Sequence, residues 1–224
     1  MAGDTKSEVW LTFALTKADV ANALTLCYSL KRVLTFRKIG VILSNKLSTP
    51  LKMSLHQSFD YLFYLEEGRN TVELKEADFV KLFPLTLKAF EMCVFLPPNT
   101  LAVNNSDRIF DECRNLRFSG YLLQESAGLD MFVMRPSWNV FENLTKGLLK
   151  TGGMDMEKYI RKWTKANNQT CQPLSDKYNH LLSVHGFPQP GEQAEVLLVN
   201  TRDIRLDMNA GELGMFTKVS QLSQ

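Results

Sequence analysis

EVWLTFALTKADVANALTLCYSLKRVL, residues 8–34, decides the fold. Its opening, Glu8 to Leu15, is rich in aromatic and aliphatic strand formers and reads as a first strand. Thr16 then offers an N-cap, with Asp19 three residues on in a variant of the capping box. Val20, Ala23, Leu24, Cys27, Leu30 and Leu34 follow at helical spacing and make one apolar stripe. Lys31 and Arg32 fall near the helix end, where cations suit its dipole.

Outward from this unit the alternation continues. Ile39 to Leu43 reads as a second buried strand, Thr49-Pro50 starts a helix, and Phe59 to Leu65 reads as a third strand. Strand and helix in strict turn are the signature of a parallel sheet with right-handed crossovers. The expected class is α/β: a Rossmann-like, mostly parallel sheet flanked by helices. No glycine-rich dinucleotide fingerprint follows the first strand, and GxxxxGK[ST] occurs nowhere.

Glu76 to Glu91 is helical in pattern, with Pro84 kinking or dividing it. Cys93 to Leu96 is a fourth strand. Tyr121 to Gln124 and Leu129 to Met134 are two more. Pro136 opens a helix to Leu149 with Trp138, Phe141, Leu144 and Leu148 on one side. Gly152-Gly153 breaks it, and a further helix runs from Asp155 to Trp163. Asn167 to Pro190 reads as loop and Glu195 to Val199 as a last strand. One domain over residues 8–205 is expected. The tail, 206–224, carries Leu213, Met215, Phe216 and Val219, enough apolar surface to dock.

Composition narrows the function. The formal net charge is +2 over 224 residues, and no Lys/Arg run marks a nucleic-acid or membrane surface. No apolar stretch approaches bilayer length. Met1 to Ser7 is polar, and no apolar segment of a secretory signal follows it. The expected location is cytoplasmic, the nucleus remaining open. The four cysteines are far apart, and Cys27 and Cys93 sit in apolar surroundings as reduced core residues. His180 and His185 lack a cluster of further ligands. Glu66-Glu67 and the acids around Glu73 to Asp78 read as solvated surface.

The run VFLPPNTLAV, residues 94–103, carries the functional question. Cys93-Val94-Phe95-Leu96 followed by Thr100-Leu101 resembles the glycogenin family of retaining glycosyltransferases (glycosyltransferase family 8). So do Leu24 to Ser29-Leu30-Lys31, Val80-Lys81-Leu82, Phe132-Val133 with Pro136-Ser137, and Gly152-Gly153, in shared order. The resemblance spans residues 8 to 200. It implies a nucleotide-sugar-binding fold of the GT-A type and UDP-glucose as donor. It also implies Mn²⁺ clamped between carboxylates and the diphosphate, and a homodimer. The family's Asp-x-Asp metal motif falls on Pro97 and Asn99. Proline supplies no ligand, and a neutral amide oxygen is a poor substitute for a carboxylate toward a hard cation.

Other family positions differ too. The acid expected after the paired glycines comes one residue late, at Asp155 after Met154. A one-residue shift turns a helical side chain by about 100°. The late metal histidine falls near Leu198, Asn-Ser-Gly has become Gly128-Leu129-Asp130, and the aromatic of the first loop falls at Asp19. Tyr178 lies in the acceptor region without the acceptor phrase. Lys81 survives, either to meet a phosphate or as a solvated helix lysine. The expectation is a vestigial nucleotide-sugar pocket of Leu11, Thr12, Lys81, Pro97, Asn99, Asp130 and Asp155, with no catalytic residue and no metal site. The function that follows is a pseudo-glycosyltransferase acting as a scaffold or protein-interaction module, dimerising through the Pro136 to Leu149 helix or the tail. The alternatives are a transferase with a metal-independent site built on Lys81 and Asn99, and a nucleotide-sugar sensor without turnover.

Overall fold

The computed structural model describes residues 8–65, 76–114, 121–123, 131–151, 156–166, 178, 180–181 and 196–198. A six-stranded sheet holds strands in the order β3-β2-β1-β4-β7-β6. The four central and leading strands are parallel: β1 (Glu8–Ala14), β2 (Lys38–Ser44), β3 (Tyr61–Leu65) and β4 (Met92–Phe95). The last two, β6 (Tyr121–Leu123) and β7 (Phe132–Met134), are antiparallel. A second, three-stranded sheet joins β5 (Thr100–Ala102), β9 (Val196–Leu198) and β8 (His180–Leu181).

Because strand side chains alternate, the large sheet has two apolar faces. Trp10, Ala14, Val41, Leu43, Val94 and Leu96 face α1 (Lys17–Arg32), α2 (Thr49–Ser58) and α4 (Arg108–Arg114). Val9, Leu11, Ile42, Cys93 and Phe95 face α3 (Glu76–Leu82), α5 (Trp138–Lys150) and α6 (Met156–Ala166). Gly40 lets the second face close: a Cβ there would stand 2.9 Å from both Leu11 Cδ2 and the Phe63 ring. Thr12 points to the first face, buried at 2 % exposure, and its hydroxyl has no hydrogen-bond partner among the described residues.

The expected first unit is present with its caps. Asp19 N–H donates to Thr16 Oγ1 (3.2 Å), and Thr16 N–H donates to Asp19 Oδ2 (2.8 Å). Val20, Ala23, Leu26, Cys27 and Leu30 bury the helix stripe, each full burial contributing about 1.5–3 kcal/mol for the larger side chains. Leu34, expected on that stripe, is instead 79 % exposed at φ 60°. Thr35 N–H reaches Leu30 O (3.2 Å) and Leu34 N–H reaches Lys31 O (3.0 Å), a Schellman stop with leucine where glycine is favoured.

Several expectations need correction. Glu76 to Glu91 is not one helix: α3 stops at Leu82, Pro84 sits in a 3-10 turn (Phe83–Thr86), and no helix follows. The fourth strand is shifted one residue toward the N-terminus. The α5 helix begins at Trp138, where the Ser137 hydroxyl accepts from Val140 N–H (3.4 Å). The region 167–190, expected as loop with little regular structure, contains the two-residue strand β8. Two elements were not expected at all, β5 and α4. The apolar side of α5 is covered within the chain, with Val140, Phe141, Leu144 and Leu148 buried. The tail lies outside the described residues, as does the sequence from Gln124 to Asp130.

Two stability outcomes follow. Leu34→Gly is expected to raise Tm by about 2–8 °C, because glycine adopts the left-handed conformation without the Cβ penalty of about 1–2 kcal/mol. Thr12→Val is expected to hold or raise Tm, since it removes a buried hydroxyl whose desolvation, about 1–3 kcal/mol, nothing offsets. Thermal unfolding of the two variants beside the parent chain checks both; a Tm lowered by several degrees in either would contradict its assignment.

Candidate functional site

In an open α/β sheet, ligands gather at the C-terminal ends of the parallel strands. Here β1 and β4 run side by side, pairing Leu11 with Phe95, and Leu96 N–H still donates to Leu11 O (2.8 Å). The next donor in register would be residue 98, aimed at Phe13 O. Proline has no N–H, so the ladder stops there. Pro97 and Pro98 are buried, Asn99 is half-buried, and the chain turns at 98–99 into β5.

Through β5 the turn is tied to two other elements. Ala102 N–H donates to the hydroxyl of buried Ser29 on α1 (3.0 Å), and Ser29 donates to Leu26 O (2.7 Å). The family-like phrase ending in Ser29-Leu30 therefore anchors the strand that leaves the site. On its other side, Thr100 pairs with Leu198 and Leu101 with Leu197. The position assigned to the family's metal histidine thus lies beside the strand that follows Pro97 and Asn99, although the two are distant in sequence. One strand further over, His180 pairs with Leu197.

The remaining expected pocket residues divide in three. Leu11 is 1 % exposed and Thr12 2 % exposed, both inside the core layers of the sheet. Lys81 is half-buried at the end of α3. Asp130 and Asp155 lie outside the described residues, as do Met154 and His185. Asp19, at the place where the resemblance implies an aromatic, is engaged in the capping box and also accepts from Leu15 N–H (3.1 Å). Tyr178 is buried at 1 % exposure among the core side chains.

What faces the strand ends on the second side is a stack of rings. Phe13 stacks on Phe95 (centroids 5.9 Å apart, planes at 15°), and Phe95 on Phe132 (4.5 Å, 5°). Phe13 is the half-exposed end of the stack. Composition hides this feature because the three phenylalanines come from three separate strands. Among the described residues the thiols are poor nucleophiles: burial pushes Cys27 and Cys113 up to about 11, and Cys93 higher still. His56 is exposed on α2.

The Mn²⁺ implied by the family resemblance does not fit these residues. Divalent manganese needs several anionic oxygens around it. The strand end presents two prolines and one amide, and among the described residues no group of His, Cys, Asp or Glu side chains is placed to hold a metal ion. Among the same residues no helix is long and apolar enough to cross a membrane.

No family model matches the chain. It is 28 % identical to glycogenin-1 of Caenorhabditis elegans over 158 residues, covering 66 % of this chain and 37 % of that protein. It is 24 % identical to human glycogenin-2 over 209 residues, covering 85 % of this chain and 42 % of that protein. The chain therefore spans about two fifths of the length of the curated relatives it matches. Among solved structures it superposes on apo mouse xyloside xylosyltransferase 1 with a TM-score of 0.60, at 9 % identity, over 87 % of this chain and 98 % of that one. It superposes on the apo glycosyltransferase GlyE of Streptococcus pneumoniae with a TM-score of 0.64, at 12 % identity, over 91 % of this chain and 57 % of that one. The sequence is glycogenin-like, and the fold is that of the GT-A glycosyltransferases.

Proposed function

We propose that this chain is a glycogenin-like glycosyltransferase fold that has lost sugar transfer and serves as a protein-interaction module. One observation carries the reading: β4 ends in buried Pro97-Pro98 and half-buried Asn99, where a metal-dependent transferase of this family has its two carboxylates. Departure of a nucleoside diphosphate develops negative charge that needs a divalent ion or several preorganised donors. Lys81 is the clearest surviving family position that could meet a phosphate, and a single ammonium is a weak replacement. The position matching the metal histidine is Leu198, held beside Thr100 by strand pairing, so the loss extends to both halves of the expected metal cage. Because the relatives are much longer than this chain, the activity of the whole protein is part of the proposal.

Thermal unfolding with UDP-glucose and Mn²⁺ tests it. A donor bound with 1 mM equal to 100 Kd stabilises by about 2.7 kcal/mol, or roughly 5–11 °C in a chain of this size. A shift below about 1 °C is expected with UDP-glucose at that concentration, with or without metal. A shift of several degrees without product would favour a nucleotide-sugar sensor, and one accompanied by glucosylation would restore the transferase.

The double variant P97D/N99D returns both carboxylates to the strand end. No transfer is expected from it, because Leu198 and Met154 still fail their positions. Radiolabel moving from UDP-glucose into the protein or an added acceptor, in that variant, would refute the broader loss.

A further inference from the structure

At the opposite, N-terminal edge of the sheet, three large apolar side chains stand in solvent: Tyr28 at 67 % exposure, Leu34 at 79 % and Phe36 at 60 %. Leu34 and Phe36 sit on the α1–β2 loop, and that loop is held tightly. Asn105 Nδ2 donates to Val33 O (3.1 Å) and Leu34 O (2.9 Å). Asp107, buried at 2 % exposure, accepts from Phe36 N–H (3.0 Å), from Thr35 Oγ1 (2.5 Å) and from Trp10 Nε1 (3.0 Å). The backbone is therefore fixed while the side chains remain uncovered. Leu34 also occupies a left-handed position that glycine would fill with less strain. Neither burial nor backbone preference accounts for a leucine there. Strain and full exposure at one residue together point to a contact made outside the fold.

The charges around the loop say what kind of contact. Lys31 to Lys38 contains four cations and no acid. Arg37 is consumed by Glu8 (2.5 Å) and Lys38 by Asp60 (2.8 Å). Lys31 donates to the Ser58 carbonyl and shares the field of Asp60 with Lys38, two cations around one carboxylate. Arg32 and Arg108 are exposed and make no ion pair among the described residues. Of the nearby acids, Asp107 is buried and fully engaged, Asp111 pairs with Arg37 (3.8 Å) and Arg114 (3.3 Å), and Glu112, exposed on α4 one turn after Arg108, is itself partnered.

We infer that the α1–β2 loop, with Tyr28, Leu34 and Phe36 flanked by Lys31, Arg32 and Arg108, is a docking site for an acidic segment of a partner protein that also carries apolar side chains. A second copy fits poorly, because a two-fold contact would set this cationic surface against itself. A lipid surface fits poorly too, since polybasic membrane binding draws on about four to eight clustered cations and this edge presents three. The inference supplies the partner chemistry for the interaction-module reading and rests on that reading for its biological meaning. Its test uses no nucleotide sugar, so either can fail without the other.

The probe is a displayed random short-peptide library panned on the intact chain. Peptides combining Asp or Glu with Leu, Phe or Trp are expected to be enriched. Their affinity is expected to fall about tenfold or more in Leu34→Gly, in Phe36→Ser and in Arg32→Glu. Leu34→Gly separates binding from folding, because it is expected to melt no lower than the parent while binding is lost. Absence of enrichment, enrichment of neutral or basic peptides, or equal binding by Leu34→Gly would overturn the inference. So would a dimer in sedimentation equilibrium that Leu34→Gly dissolves, which assigns the edge to a second copy. Co-sedimentation with phosphatidylserine–phosphatidylcholine vesicles that Arg32→Glu abolishes would assign it to a lipid surface.

Discussion

Phe13 offers a backbone carbonyl at the C-terminal end of β1, and residue 98 has no N–H to meet it. Leu96 makes the last β1–β4 hydrogen bond, so the ladder ends there for a covalent reason. The chain must turn, and it turns into β5, whose Ala102 N–H finds Ser29 on α1 and whose other edge takes β9. A second sheet thus begins where the first is forbidden to continue. On the family resemblance, the two carboxylates of the metal motif would stand at positions 97 and 99, on either side of the proline that ends the ladder.

Polar groups in the interior are concentrated at the other end of the strands. Glu8, 1 % exposed at the start of β1, lies between Arg37 (2.5 Å) and Arg114 (2.6 Å). The Arg37 guanidinium also sits over the rings of Phe36 (4.4 Å) and Phe110 (5.2 Å). Taking such charges out of water is costly, and the pairing roughly offsets that cost. What the knot adds is geometry. Together with Asp107 it joins the start of β1, the α1–β2 loop and α4, elements far apart in sequence that meet only in the folded chain.

Much of the large sheet could be read from the sequence because its signals are local. The Thr16/Asp19 cap, the stripe from Val20 to Leu30 and the apolar runs at 8–15 and 39–43 each need only their own neighbours. Of the second sheet only β9 could be read that way, within the run from Glu195 to Val199; the sheet as a whole could not. Its strands are two or three residues long, and their identity depends on pairing Thr100 with Leu198 across nearly a hundred residues. Pro84 was seen to disturb a helix, but whether it bends or divides one is decided by packing. Leu34 looked like one more member of the stripe, since helical spacing carries no information about the turn at which the helix stops. For the site, the departures from the family pattern at Pro97 and Asn99 are read from side-chain chemistry alone and need no structure. The Phe13–Phe95–Phe132 stack was not, because strand order alone brings those rings together.

The two edges of the sheet have diverged in character. At the C-terminal edge the fold retains its strands, crossovers and aromatic packing while the groups that would manage phosphate charge are absent from the described strand end. At the N-terminal edge a strained leucine, whose carbonyl accepts from Asn105, and an exposed phenylalanine, whose N–H donates to Asp107, are held in place, an arrangement that folding alone does not require. Stability selects against a leucine in the left-handed region and against large apolar groups in water, whereas binding benefits from a rigid loop whose ordering entropy has already been lost on folding. The residues at one edge can change without disturbing such a loop at the other, because the core layers between them are the part that both require.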